Sequence, residues 1–187
     1  MKTITNFTIA FAVVALFAAC GNTQKAAEAE DHVGHNHAPG EGHGTPTAQT
    51  SAGVSLKDDK LNTVYQHYIH LTTALVNGDL AEVKVAANAI ELGAKELGNG
   101  NTLATLAAKI SAAATLEMQR TLYADLSTDF IARVKTVGLS SGEVYVDYCP
   151  MALNDKGASW LSNQKDIKNP YFGESMLTCG EVKETLK

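Results

Sequence analysis

The stretch DLAEVKVAANAIELGAKELG, residues 79–98, has the strongest helical periodicity in the chain. Its apolar residues recur at steps of three and four, which places them on one face of an α-helix. Asp79 with Glu82 three residues later is typical of a helix start, and Gly98 is typical of a helix end. The stretch therefore predicts an amphipathic helix with one buried face, formed by Leu80, Val83, Ala87, Ile90, Ala94 and Leu97.

Three neighbouring segments carry a similar pattern. The first starts near Ser55, which with Asp58 three residues on is typical of an N-cap, and it ends at Gly78. Two more lie between residue 101 and Gly138, where Thr115 either caps a separate helix or lies within one long helix. Short connections containing glycine favour antiparallel neighbours, so the sequence predicts a mainly α fold, an antiparallel four-helix bundle.

The amino-acid composition changes after Gly138, and the helical periodicity ends there. Residues 144–148, VYVDY, are β-branched and aromatic, which predicts a short extended segment. The remainder is rich in turn residues and predicts an irregular C-terminal segment that contains cysteine and methionine. A brief helix is expected at residues 181–186.

The first nineteen residues are typical of a signal peptide. Lys2 precedes an apolar run, residues 7–17, which is too short to span a membrane, and small residues follow before Cys20. The pattern resembles the bacterial lipobox, with Phe17 in the position that usually holds leucine. The resemblance implies that Cys20 is lipidated and anchors the mature chain to a membrane. The alternative is a plain secreted protein with a free Cys20.

Residues 20–54 have few large apolar side chains and predict a disordered tether, which leaves residues 55–187 as the folded domain. Imidazole is a common metal ligand, so the histidines of the tether are candidate accessory ligands; the alternative is a solvated spacer. On the first helix, two further histidines are candidates if the C-terminal segment folds over them. The six histidines are His32, His35, His37, His43, His67 and His70.

Charge and motif content exclude several classes of function. The chain has 15 Lys+Arg and 20 Asp+Glu, and no basic patch of the kind that binds nucleic acid. It has no Ser/His/Asp set, no phosphate-binding loop and no CxxC redox motif, so we expect no enzyme activity.

The C-terminal segment gathers most of the sulfur in the chain. Cys149 and Met151 lie at its start, and Met176 and Cys179 near its end. Thiolates and thioethers select soft ions such as Cu(I). The alternative is a disulfide between the two cysteines, which an oxidising compartment favours, with both methionines as core fillers.

Four short motifs in this segment, at residues 148–152, 157–162, 167–173 and 176–180, resemble a known family. It is a periplasmic domain of unknown function that occurs alone in small lipoproteins and fused to the C-terminus of Cus-type heavy-metal efflux adaptors. The likeness extends to the helices, from HYIHLTTALVNGD to QRTLYADLSTDF. Residues 148–151 are also similar to the Tyr-x-Cys-Pro-Met-His motif of small heavy-metal-binding domains, with Ala152 in place of the histidine.

The resemblance implies copper or silver handling and an efflux adaptor as partner. We therefore expect a lipid-anchored protein of the cell envelope, facing the periplasm, that binds Cu(I) through Cys149, Met151, Met176 and Cys179. It would buffer the metal or hand it to a heavy-metal efflux adaptor. The alternative function is a disulfide-stapled interaction module that docks on an envelope or efflux protein without binding metal.

Overall fold

A computed structural model describes residues 53–187 of the chain. The predicted signal peptide, Cys20 and the four tether histidines lie outside the described residues. Val54 already packs against the core, and the Gly53 carbonyl accepts a hydrogen bond from the Ser141 side chain.

Four long helices form most of the described region. They are α1 (Asp59–Asn77), α2 (Leu80–Lys95), α3 (Asn101–Ala112) and α4 (Leu116–Val137). The side chains of Asp79 and Thr115 accept hydrogen bonds from backbone N–H groups of the first turns of α2 and α4, so both predicted N-caps are confirmed. The Thr115 cap also shows that α3 and α4 are separate helices.

Each helix packs against the next along the chain, and α4 also contacts α1 and α2. The apolar face predicted from residues 79–98 is buried at Val83, Ala87, Ile90 and Ala94. The prediction of a mainly helical domain with four helices is confirmed. Among the described residues, the helices lack an apolar stretch long enough to cross a membrane.

Two small antiparallel sheets complete the fold. The first pairs β1 (Ser55–Leu56) with β2 (Leu139–Ser141) across the ends of the helical region. The second has the strand order β4-β3-β5, with β3 (Val144–Cys149) between β4 (Ala158–Ser162) and β5 (Glu181–Leu186). The extended segment predicted at residues 144–148 is thereby confirmed as the central strand of a sheet.

Two local predictions are wrong. The N-cap of α1 is Asp58, whose carboxylate accepts from Leu61 N–H at 2.8 Å, because Ser55 is paired to Ser141 in a strand. Residues 181–186 form strand β5 rather than a helix, because they pair along β3. The C-terminal segment is accordingly less irregular than the sequence indicates.

A buried tyrosine joins the helices to the sheet. The hydroxyl of Tyr68 on α1 accepts a hydrogen bond from Leu161 N–H of β4 at 3.0 Å and another from the Tyr123 hydroxyl of α4 at 2.8 Å. It also lies 2.7 Å from the Ser127 hydroxyl. Since a buried polar group left unpaired is costly, this network fixes β4, and β3 beside it, on the helices.

Candidate metal centre

The two cysteines of the C-terminal segment lie side by side. Cys149 is the last residue of β3 and is fully buried, whereas Cys179 is partly exposed in the loop before β5. Both are free thiols, and their Sγ atoms are 2.7 Å apart. Sulfurs this close can share a proton, become joined by oxidation, or move apart to hold one ion between them.

The loop that carries Cys179 is organised by one buried amide, Asn169. Its Oδ1 accepts hydrogen bonds from the backbone N–H groups of Tyr171 and Phe172, at 2.8 and 3.3 Å. Its Nδ2 donates to the Cys179 carbonyl at 2.7 Å. The backbone of Asn169 also bonds to residues 173 and 177, so one residue determines the path of the loop up to the cysteine.

Hydrogen bonds that involve helices α1 and α4 also position this loop. Arg120 of α4 donates through Nε to the Pro170 carbonyl at 2.9 Å and through Nη2 to the Leu75 carbonyl of α1 at 3.0 Å. The Tyr171 hydroxyl donates to the Ser159 carbonyl at 2.8 Å, and its ring packs on the Tyr123 ring. Cys179 is therefore positioned by contacts with both helices and the sheet.

The neighbouring thiol changes the acidity of Cys179. Its hydrogen bond with Cys149, followed by partial burial, raises the Cys179 pKa to about 11. Without a metal, this thiol stays protonated at neutral pH. It differs from the low-pKa thiolates that act as catalytic nucleophiles.

Met151 and Met176 line one surface pocket of about 380 Å³, and neither cysteine lines it. Met151 is 48% exposed. The four sulfur residues predicted as one site are thus divided between the cysteine pair and the wall of this pocket, and the chain connects the two at residues 149–151 and 176–179.

The wall of this pocket contains backbone in an uncommon conformation. The turn at Ala152–Asp155 includes three successive residues with positive φ, namely Leu153, Asn154 and Asp155, at 55°, 58° and 63°. Each left-handed residue other than glycine costs about 1 kcal/mol, although Asn and Asp tolerate it better. The tight turn directs the chain from Met151 back into β4.

The two predicted histidine ligands in the described region, His67 and His70, form no metal-binding group with the cysteines. His70 contacts Glu82 at 2.8 Å on an exposed part of α1 and α2, and nothing in the described region places His67 beside sulfur. Within residues 53–187, no three His, Cys, Asp or Glu side chains converge as a metal-binding group. The cysteine pair is therefore a two-ligand arrangement.

Sequence patterns missed three residues around the pair. Asn169 precedes a proline, which is typical of a turn, and Arg120 belongs to no recognisable motif. Asp147 lies two residues before Cys149, fully buried opposite Trp160 of β4, and none of its carboxylate oxygens has a hydrogen-bond partner in the described region. Burial raises the pKa of Asp147 to about 7. The one available signal was a lone acidic residue within an apolar strand.

Comparison with known proteins finds a family model that matches part of the chain. Residues 64–142 match a domain of unknown function, DUF3347. The DUF3347 match runs from α1 to β2 and stops before β3, so it leaves out both cysteines and the two methionines of the pocket. No curated protein and no solved structure matches the chain.

Proposed function

We propose that the protein captures a soft monovalent metal ion, Cu(I) or Ag(I), between Cys149 and Cys179. In this proposal the chain is lipid-anchored through Cys20, faces the periplasm, and buffers the metal or passes it to a heavy-metal efflux adaptor. The four helices form an antiparallel bundle that serves as a rigid support. The observation that carries the proposal is the 2.7 Å separation of one buried and one accessible sulfur.

The donor set favours a soft ion. Thiolates select Cu(I) and similar ions over the hard ions Ca²⁺, Mg²⁺ and Mn²⁺. A structural zinc site requires four ligands, whereas the described residues bring only two cysteines together, without a third His, Cys, Asp or Glu. Two sulfurs suffice only for an ion that accepts few ligands.

Binding requires two adjustments by the chain. Thiols lose their protons when they ligate, and the Cys179 pKa is about 11, so apparent affinity should rise with pH. The sulfurs must also move apart, since two metal–sulfur bonds of about 2.3 Å in a linear two-ligand site place the sulfurs roughly 4.6 Å apart. Cys149 is held in the sheet, so the movement falls on the loop that carries Cys179.

A second function is favoured by the same separation. Sulfurs 2.7 Å apart need little movement to form a disulfide. The bond would connect β3 to the loop before β5 and leave a stapled module that docks on an envelope or efflux protein without metal. A disulfide-bonded pair cannot ligate as thiolates, so the two functions exclude each other in one molecule.

Stability measurements separate the two functions. The sample is the chain without residues 1–19 and with Cys20→Ser, so that every titratable thiol belongs to the pair. Under reducing conditions, buffered Cu(I) at a thousandfold excess over Kd should stabilise the fold by about 4 kcal/mol. If the pair is instead a structural disulfide, reduction alone should cost about 2–5 kcal/mol, and copper should not restore the loss.

The matched control is the double variant Cys149→Ala/Cys179→Ala. It should keep the fold and lose the copper-dependent increase in stability. A reduced parent protein that shows no copper-dependent increase would refute metal capture at the pair.

A further inference from the structure

We propose that Met151 and Met176 form a second, outer site for Ag(I) or Cu(I), separate from the cysteine pair. The choice of ion rests on the function proposed above, whereas the site itself can be tested without the cysteines. The outer site would receive the ion from solution or from a donor before the cysteines bind it.

The arrangement of the four sulfur residues supports two sites in series. Both methionines line the pocket of about 380 Å³, and neither cysteine does. Along the chain, each methionine is two or three residues from a cysteine, and the Cys179 N–H donates to the Met176 carbonyl at 3.1 Å. The outer site therefore lies one short turn of chain from the inner pair on each side.

Accessibility gives the order of binding. Met151 is 48% exposed, whereas Cys149 is fully buried. An arriving ion can therefore contact the thioether of Met151 or the partly exposed Cys179 before the buried thiol of Cys149. Transfer inward then exchanges thioether ligands for thiolates and releases the thiol protons to solvent. Thiolates bind soft ions more strongly because they carry negative charge.

The other residues of the pocket suit a cation. The carboxylates of Glu117 and Asp155 and the guanidinium of Arg120 line it, which leaves one net negative charge. Arg120 is already engaged, because its Nε and Nη2 donate to two backbone carbonyls. The aromatic rings of Tyr171 and Phe172 complete the wall, and such rings attract cations placed over their faces.

The two sites should differ in their response to the state of the thiols. A thioether has no proton to lose and does not form disulfides, so the outer site should bind whether the cysteines are reduced, oxidised or replaced. The inner pair binds only as reduced thiols. Oxidation would thus close the inner site and leave the outer one available.

The test follows the three methionine methyl groups by ¹³C NMR. The sample is the chain without residues 1–19, with Cys20→Ser, Cys149→Ala and Cys179→Ala, and it is titrated with Ag(I). Met118 is the internal control, because it is 51% exposed, as Met151 is, but does not line the pocket. The Met151 and Met176 signals should shift together and saturate at one equivalent, and the Met118 signal should stay fixed.

Further variants make the result decisive. Met151→Leu should lower the apparent Ag(I) affinity, measured from the titration of the Met176 methyl signal, at least tenfold. Met118→Leu should leave this affinity unchanged. If the alanine variant does not fold, the same titration uses the parent pair in its oxidised form. Methyl signals that do not shift, or that shift in parallel with Met118, would overturn the proposal.

The outcome is independent of the inner pair. If the reduced parent protein binds metal at the cysteines but the methyl signals of the alanine variant stay fixed, the outer site fails and the proposed function stands. If the methyl signals shift but the reduced parent protein shows no copper-dependent increase in stability, the proposed function fails and the outer site stands.

Discussion

Replacement of Asn169 by alanine should release the loop that positions Cys179. The side chain is fully buried and makes three hydrogen bonds, to the N–H groups of Tyr171 and Phe172 and to the Cys179 carbonyl. Asn169→Ala removes one acceptor and one donor at the same time. Three backbone groups then lose their partners in a region that admits little water.

The magnitude follows from these bonds. Each contributes about 1 kcal/mol net, and a buried group left unpaired costs about 1–3 kcal/mol. Because the loop can shift to recover part of this, we expect a loss of about 3 kcal/mol in the free energy of unfolding. Asn169→Asp keeps the acceptor, and a neutral carboxyl also has an O–H that can donate to the Cys179 carbonyl, so this variant should cost less than alanine at a pH where the carboxyl is neutral.

Two measurements on the reduced protein check this prediction. Denaturant unfolding gives the change in free energy, and the rate of alkylation of Cys179 gives the local release, which should increase at least tenfold in Asn169→Ala. Asn163→Ala, in the same loop at a half-buried position, is the matched control and should change stability by less than about 0.5 kcal/mol. An Asn169→Ala protein as stable as this control, with unchanged alkylation, would refute the role assigned to Asn169.

Four further predictions concern other parts of the chain. Gly157→Ala should cost about 1–3 kcal/mol in thermal or denaturant unfolding, because φ is +75° and the new Cβ would lie 2.1 Å from the Tyr148 hydroxyl. The stability of the parent should fall as pH rises from about 4 to about 7, by on the order of 2 kcal/mol, because the folded state holds the proton of Asp147 more tightly than the unfolded state does. Asp147→Asn should abolish this dependence of stability on pH. An unchanged dependence would show that other titratable groups cause it. Cys20→Ser in the whole chain should move the protein from the membrane to the soluble fraction in cell fractionation, and retention in the membrane would contradict lipidation. Deletion of residues 31–44 should leave the thermal midpoint unchanged and reduce Cu(II) uptake without affecting Cu(I) binding at the cysteines; a lowered midpoint would show that the tether packs on the domain.

The helices were predictable because their capping residues and the spacing of their buried apolar residues indicate the same segments. At residues 79–98 the apolar spacing and the cap at Asp79 identify the same helix, and the buried face is the predicted one. Residues 181–186 show the opposite case. Their sequence, EVKETL, has two glutamates and a lysine that suit a helix surface, and nearly all of the strand is exposed. Only pairing with β3 makes it a strand, and that partner is distant in the sequence.

The candidate site was predictable in part. The proximity of Cys149 and Cys179 follows from either reading of the cysteines, as a disulfide or as ligands. The separate position of Met151 and Met176 does not follow from spacing, because it depends on the turn at residues 152–155 and on the packing of Phe172. Asn169 and Arg120 hold backbone carbonyls from distant segments, and a sequence carries no periodic signal for such contacts.

The chain contains a single tryptophan, and the fold places it where it can report on the cysteine pair. Gly180 directly follows Cys179, and its φ of +139° lets the backbone approach so closely that a Cβ there would lie 3.1 Å from the Trp160 ring. On the neighbouring strand, Trp160 faces Asp147. Tryptophan fluorescence therefore comes from one indole whose surroundings change with the Cys179 backbone and with the charge of Asp147. Emission followed during oxidation, metal addition or a pH titration would resolve events at this end of the sheet without any added label.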